Sequence, residues 1–173
     1  HAIQGAGHRS PLVAATVTTR GIVTVVGPNG FYLQYATPDG DNATAEGIFV
    51  ATNGAPTVAS GDDVLVLGKV AEVVPGGTLS YDLSVTTLTD ASVTLIATGN
   101  ALPAPVVLGQ NGRALPATVI EDDALTSFEP ATDGLDFFES LEGMHVQVIN
   151  ALVVGPTAAG GPFWVLGGGG ACD

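Results

Sequence analysis

Between Gly21 and Val73 the chain carries four short β-rich runs, each opened by a glycine turn, and this constrains its fold most. The stretch reads GIVTVVGPNGFYLQ, then EGIFVAT, then GDDVLVLGKVAEV. Two glycines stand inside runs, Gly21 in the first and Gly68 in the last. A glycine within a strand gives up side-chain packing and often marks a bulge or a sharp bend. Small barrels close through such bends, so the pattern predicts a closed β-barrel, a scaffold that carries many functions.

The individual runs support this. From Val17 to Val26 the set Val17, Thr19, Val23, Val25 alternates with Thr18, Arg20, Ile22, Thr24, as in a half-buried strand. Pro28-Asn29-Gly30 is a turn, since Asn-Gly favours positive φ. Phe31 to Tyr35 and Gly47 to Thr52 are the second and third strands. Val64 to Val73 is apolar on both faces and is expected to be well covered. Tyr81 to Leu88 and Val93 to Ala97 complete a fifth strand, broken near Asp90.

Five strands in this span suit an all-β chain built on a five-stranded OB-like barrel, followed by a linker with short helices and a partial second β unit. The expected organisation is an extended lead-in over 1–15, the barrel over 16–100, the linker over 101–140, and over 141–173 either a second OB-like unit or a hairpin packing on the first. The linker is rich in Pro and Gly from Ala101 to Pro116. Helices are expected over Ile120 to Phe128, where acidic residues 121–123 suit a helix N-terminus, and over Asp136 to Leu141. The last unit rests on an echo: MHVQVINALVVGPTAAGGPFWVL repeats the order of ATVTTRGIVTVVGPNGFYLQ. It runs out at GGGGACD before a barrel can close, which reads as a fragment of a longer protein.

Charge narrows the function. Only Arg9, Arg20, Lys69 and Arg113 are cationic, and the formal net charge is −13. Tight autonomous binding of DNA or RNA needs a concentrated Lys/Arg face, which this composition excludes. The acidity instead favours solubility and attracts cations such as Ca²⁺. No run of 18 apolar residues exists, so no transmembrane helix and no membrane partner are expected. The single Cys172 forms no intrachain disulfide. The start at His1 reads as a mature or trimmed end, and Thr, Gly, Ala and Val with almost no Lys fit a secreted bacterial protein.

No catalytic residues are expected. The serines lie in no nucleophile elbow, and P-loop, HExxH and CxxC patterns are missing. His145 falls on the alternating MHVQV run and reads as a solvent-facing strand residue. The hard oxygens of Asp39, Asp41, Asn42 and Glu46 form the candidate Ca²⁺ site, although an acidic turn explains the same residues. Tyr32 and Gln34 on the second strand and Phe49 on the third should face outward, on the side where OB folds take single strands. Arg20 and Lys69 are the cations nearest to serve such a face.

Several segments together resemble one family: IQGAGHRSP (3–11), GFYLQ (30–34), EGIFV (46–50), GDDVLVLGKVAEV (61–73), LPAPVVLG (102–109), VIEDDA (119–124) and DGLDFFESLEGMHVQV (133–148). The chain resembles the OB-fold accessory region of large secreted bacterial nucleases, where such domains precede an endonuclease/exonuclease/phosphatase-type catalytic domain. DFFESLEGM is the most specific piece. The chain departs from the family's pattern at Tyr35 and Glu46, each where Asp is frequent, and at Leu88, where Gln is frequent. The resemblance implies an extracellular, non-catalytic module assisting weak binding or presentation of DNA or RNA, with a downstream catalytic domain as partner. A structural spacer, or a Ca²⁺-stabilised adhesion or carbohydrate-binding module, are the alternatives.

Overall fold

In the computed structural model, residues 1–77, 79–80, 82–157 and 163–170 are described. Tyr81, the expected start of the fifth strand, and Cys172 lie outside them. Strands β1 (Thr16–Gly27), β2 (Gly30–Gln34), β3 (Gly47–Ala51), β4 (Asp63–Val73) and β5 (Val85–Ala97) close a ring in the order β1-β2-β3-β5-β4. Every neighbour is antiparallel except β3 and β5, which run parallel through Phe49↔Thr87 and Val50↔Leu88. This is the OB-like barrel that the strand pattern predicts.

The barrel closes because β1 serves two partners. Thr16 to Ile22 pair with β4, and Ile22 to Gly27 pair with β2. At the changeover a Cβ on Gly21 would lie 2.5 Å from the Gln34 carbonyl oxygen, so only glycine lets β2 approach. A bulge follows, with the register slipping between Val23 and Val25. The strict alternation expected from Val17 to Val26 therefore fails: Gly21, Ile22, Val23 and Thr24 are all buried, while Val25 turns outward. Gly68 also marks a bend. Asp90, at φ 50, sits where β5 gains a residue between Lys69↔Thr89 and Leu67↔Ser92. The fifth strand thus runs unbroken from Val85, because a bulge absorbs the irregularity at Asp90.

The core comprises Val23, Phe31, Leu33, Ile48, Val50, Val64, Val66, Val70 and Leu88. The opposite side of β4 does not match expectation: Leu65 and Leu67 stay 38% and 47% exposed. A single closed sheet covers its inner face only, so apolar residues on both sides of a strand do not guarantee cover. The β1–β2 turn also differs. Neither Asn29 nor Gly30 adopts positive φ. Pro28 presets the first corner, and Gly30 is needed for space, because a Cβ there would overlap the Phe49 ring.

The chain forms two compact units whose boundaries cut across the expected linker. The first comprises residues 1–104 and 116–145, the second 105–115 and 146–173. In the first, the lead-in is a series of turns rather than an extended strand. Residues 120–128 form bends instead of a helix, with Ala124 and Leu125 at φ 58 and 61. Their side-chain acceptors explain this. Asp123 accepts the Thr126 and Ser127 amides and Glu121 accepts the Asp123 and Leu125 amides, an alternative to helical bonding. The second expected helix exists as α1 (Gly134–Glu139). The second unit holds a parallel pair, β6 (Val106–Leu108) with β7 (Val146–Val148), and a short antiparallel pair, β8 (Leu152–Val153) with β9 (Val165–Leu166).

Candidate functional site

The outward face of β2 and β3 carries an aromatic pair. Tyr32 and Phe49 are cross-strand partners, and their rings lie 5.1 Å apart at 57°. Tyr32 is 37% exposed, whereas Phe49 is half-buried over Gly30. Gln34 is a correction: it is 4% exposed, and its Oε1 accepts the His145 amide at 2.7 Å. The segment around Gly143 crosses the start of β3 so closely that a Cβ on Gly47 would overlap it. That crossing occupies the end of β2 where Gln34 was expected to reach solvent. His145 itself lies just before β7 and is half-buried, with Nδ1 3.0 Å from the Pro103 carbonyl, rather than facing solvent on a strand.

The two expected cations do not join the aromatic pair. Arg20 forms a fork on Asp63, Nε to Oδ1 at 2.9 Å and Nη2 to Oδ2 at 2.6 Å. This pair raises the Arg20 pKa and lowers that of Asp63, the hydrogen bond being the main cause in both. Lys69 is exposed on β4, near Thr16 of β1. Arg20 also borders a cleft of about 370 Å³ with Tyr35 and Glu46.

The acidic loop is a turn bonded largely to itself, with His1 Nδ1 3.7 Å from Asp39 Oδ2. Asp39 Oδ1 accepts the Asp41 amide and Oδ2 the Thr44 hydroxyl, while Asp41 Oδ1 accepts the Ala43 amide. Glu46, buried, accepts the Asp39 amide. The Asp41 amide is the main cause holding the Asp39 carboxyl below its ordinary pKa. Asn42 is exposed. Among the described residues these carboxylates do not converge as a metal-sized cluster; His8, Glu121 and Asp136 do.

Two buried polar arrangements bring acidic groups that the sequence offers at 121–123 and at Asp133, Asp136 and Glu139 together with partners that the sequence does not indicate. In one, His8 Nε2 lies 2.6 Å from Asp136 Oδ1, and the His8 ring meets Phe128 edge-on. Asp133, nearby and buried, has its carboxyl raised chiefly by burial, with Asp122, Asp136 and Glu121 adding to the effect. In the other, Glu142 Oε1 accepts Gln4 Nε2 at 3.0 Å and the Thr86 amide at 2.9 Å. Glu72 accepts the Ser10 amide and the Ser84 and Thr86 hydroxyls. Burial first, then the charges of Glu142 and Glu72, pushes Glu139 up to about 8. Burial likewise pushes Glu142 up to about 7. Gln4 also donates to the Gly47 carbonyl at 2.7 Å, so the lead-in and the residue 116–145 segment are bonded to the barrel and to each other. The sequence signal lay in the spacing of acids around DFFESLEGM, which helix-end chemistry explained equally well.

A family profile described as a domain of unknown function (DUF8508) is similar to residues 107–172, less than half of the chain and including Glu121 and Asp136 but not His8. Neither the curated proteins nor the solved structures yield a match.

Proposed function

We propose that this chain is a non-catalytic OB-fold accessory module of an extracellular bacterial nuclease, assisting weak contact with a single-stranded nucleic acid presented to a catalytic domain in the same polypeptide. The Tyr32–Phe49 ring pair on the outward face of β2 and β3 carries this reading. A base stacked on such a ring gains about 1–3 kcal/mol whatever its identity. Arg20 is already committed to Asp63, and the net charge is −13, so phosphate attraction contributes little. Contact should therefore be weak and depend little on added salt. The resemblance to secreted-nuclease accessory regions supplies the rest.

The test is a fluorescence-anisotropy titration of labelled single-stranded DNA at low salt with wild type and Tyr32→Ala. Weak binding that Tyr32→Ala removes supports the module. Absence of signal at the highest soluble protein concentration rejects direct contact and favours a spacer. The half-burial of Phe49 over Gly30 supports that second reading. A spacer predicts that Tyr32→Ala lowers thermal stability while nucleic acid has no effect.

A further inference from the structure

We infer that His8, Glu121 and Asp136 form a structural site for a divalent transition metal of the Zn²⁺ type, tying the lead-in to the 116–145 segment. One donor atom from each lies within 4.8 Å of the others. The contributing residues are far apart in sequence, His8 and Asp136 by 128 positions, so only the fold assembles them.

Each carboxylate is oriented by backbone amides through one oxygen; the other oxygen of Glu121 has no partner among the described residues, and that of Asp136 pairs with His8 Nε2, a contact that a metal between them would replace. Glu121 Oε1 accepts the Asp123 and Leu125 amides, at 2.9 and 3.1 Å. Asp136 Oδ2 accepts the Glu129 amide at 2.6 Å. These amides are the outer partners that orient metal-binding carboxylates. Asp136 Oδ1 points at His8 Nε2. Glu121 Oε2 is fully buried and has no hydrogen-bond partner among the described residues. A buried carboxylate oxygen without a partner is costly, and a cation bound among the three donors removes that cost.

The donor set selects the ion. One imidazole and two carboxylates suit Zn²⁺, with a fourth position for water, better than Ca²⁺, which takes six to eight oxygens. Zn–N and Zn–O bonds of about 2.0–2.2 Å place tetrahedral donors roughly 3.3 Å apart. The 4.8 Å cluster reaches that geometry by side-chain shifts of the order of an ångström. Asp136 is 1% exposed and the His8 side chain 16%, so the site is shielded yet open to an ion. The inference does not depend on nucleic-acid binding.

The experiment uses chelator-treated full chain, with Zn²⁺ alone and Ca²⁺ alone as probes, read by calorimetric titration and thermal melting. A single Zn²⁺ site should appear, the melting temperature should rise by several degrees, and Co²⁺ should give a visible band on binding. His8→Gln should abolish all three. Glu121→Gln keeps an acceptor for the two amides and should weaken Zn²⁺ by more than the roughly tenfold typical of losing an outer partner. The wild-type melt needs no variant. Absence of a Zn²⁺ shift in excess metal, or an equal Ca²⁺ shift that survives His8→Gln, overturns the site.

Discussion

Two hairpins with related sequences meet different fates here. In the barrel, VTVVGPNGFYLQ becomes β1 and β2, and β2 gains β3 along its other edge through five residue pairs. In the second unit, ALVVGP and FWVL become β8 and β9, joined by only two pairs. Phe31 is 1% exposed, and its counterpart Phe163 is 58% exposed. Trp164, Val153 and Leu152 likewise keep half or more of their surface. A β–turn–aromatic pattern creates an apolar face, and further strands or another covering layer must bury it. Two strands alone give little independent stability.

The largest test of this contrast is a pair of core truncations. Phe31→Ala should cost about 3–5 kcal/mol in urea unfolding, and Trp164→Ala less than about 1 kcal/mol. Similar costs for the two would mean that the second hairpin is packed, and the contrast would fail. Next come the strand bends. Gly21→Ala should cost about 1–3 kcal/mol, because β2 must move away from the new Cβ. Gly27→Ala should cost less than about 1 kcal/mol, since its Cβ would meet nothing closer than the Gly30 oxygen at 3.5 Å.

Acidity separates the units next. Glu139 and Glu142 are raised from 4.5 to about 8 and about 7 in the folded chain. A carboxyl with a raised folded pKa holds more protons folded than unfolded. Its contribution is fully present below about 4.5 and is lost as pH rises through about 7 and 8. The melting temperature followed by circular dichroism should therefore fall between about pH 4.5 and about pH 8, and Glu139→Gln with Glu142→Gln should flatten that fall. The described residues of the second unit contain no Asp or Glu, and the chain's single tryptophan, Trp164, lies there. Trp164 fluorescence should change little over the same range; a matching change would show that the two units respond together. The smallest expected effect is Arg20→Ala. It removes an exposed fork, and the melting temperature should barely move at moderate salt.

Much of the barrel was legible locally. The runs from Val17, Phe31, Gly47 and Val64 match β1 to β4 within one or two residues, because period-two patterns and glycine turns are properties of neighbouring residues. The outward placement of Tyr32 and Phe49 followed from the same period. The burial of Gln34 did not, because it depends on His145, 111 positions away. Nor did the helix expected over Ile120 to Phe128 form, because side-chain acceptors of Glu121 and Asp123 captured the backbone amides.

By itself the sequence determined the strands, the bends at Gly21 and Gly68, and an acidity that opposes strong phosphate contact, since each depends on residue type and spacing along the chain. Tertiary structure alone decided which carboxylates converge. His8 reaches Asp136 and Gln4 reaches Glu142 only after the lead-in and the DFFESLEGM segment have both folded onto the barrel. Hydrogen bonding and desolvation depend on distance in space, and no local pattern records it.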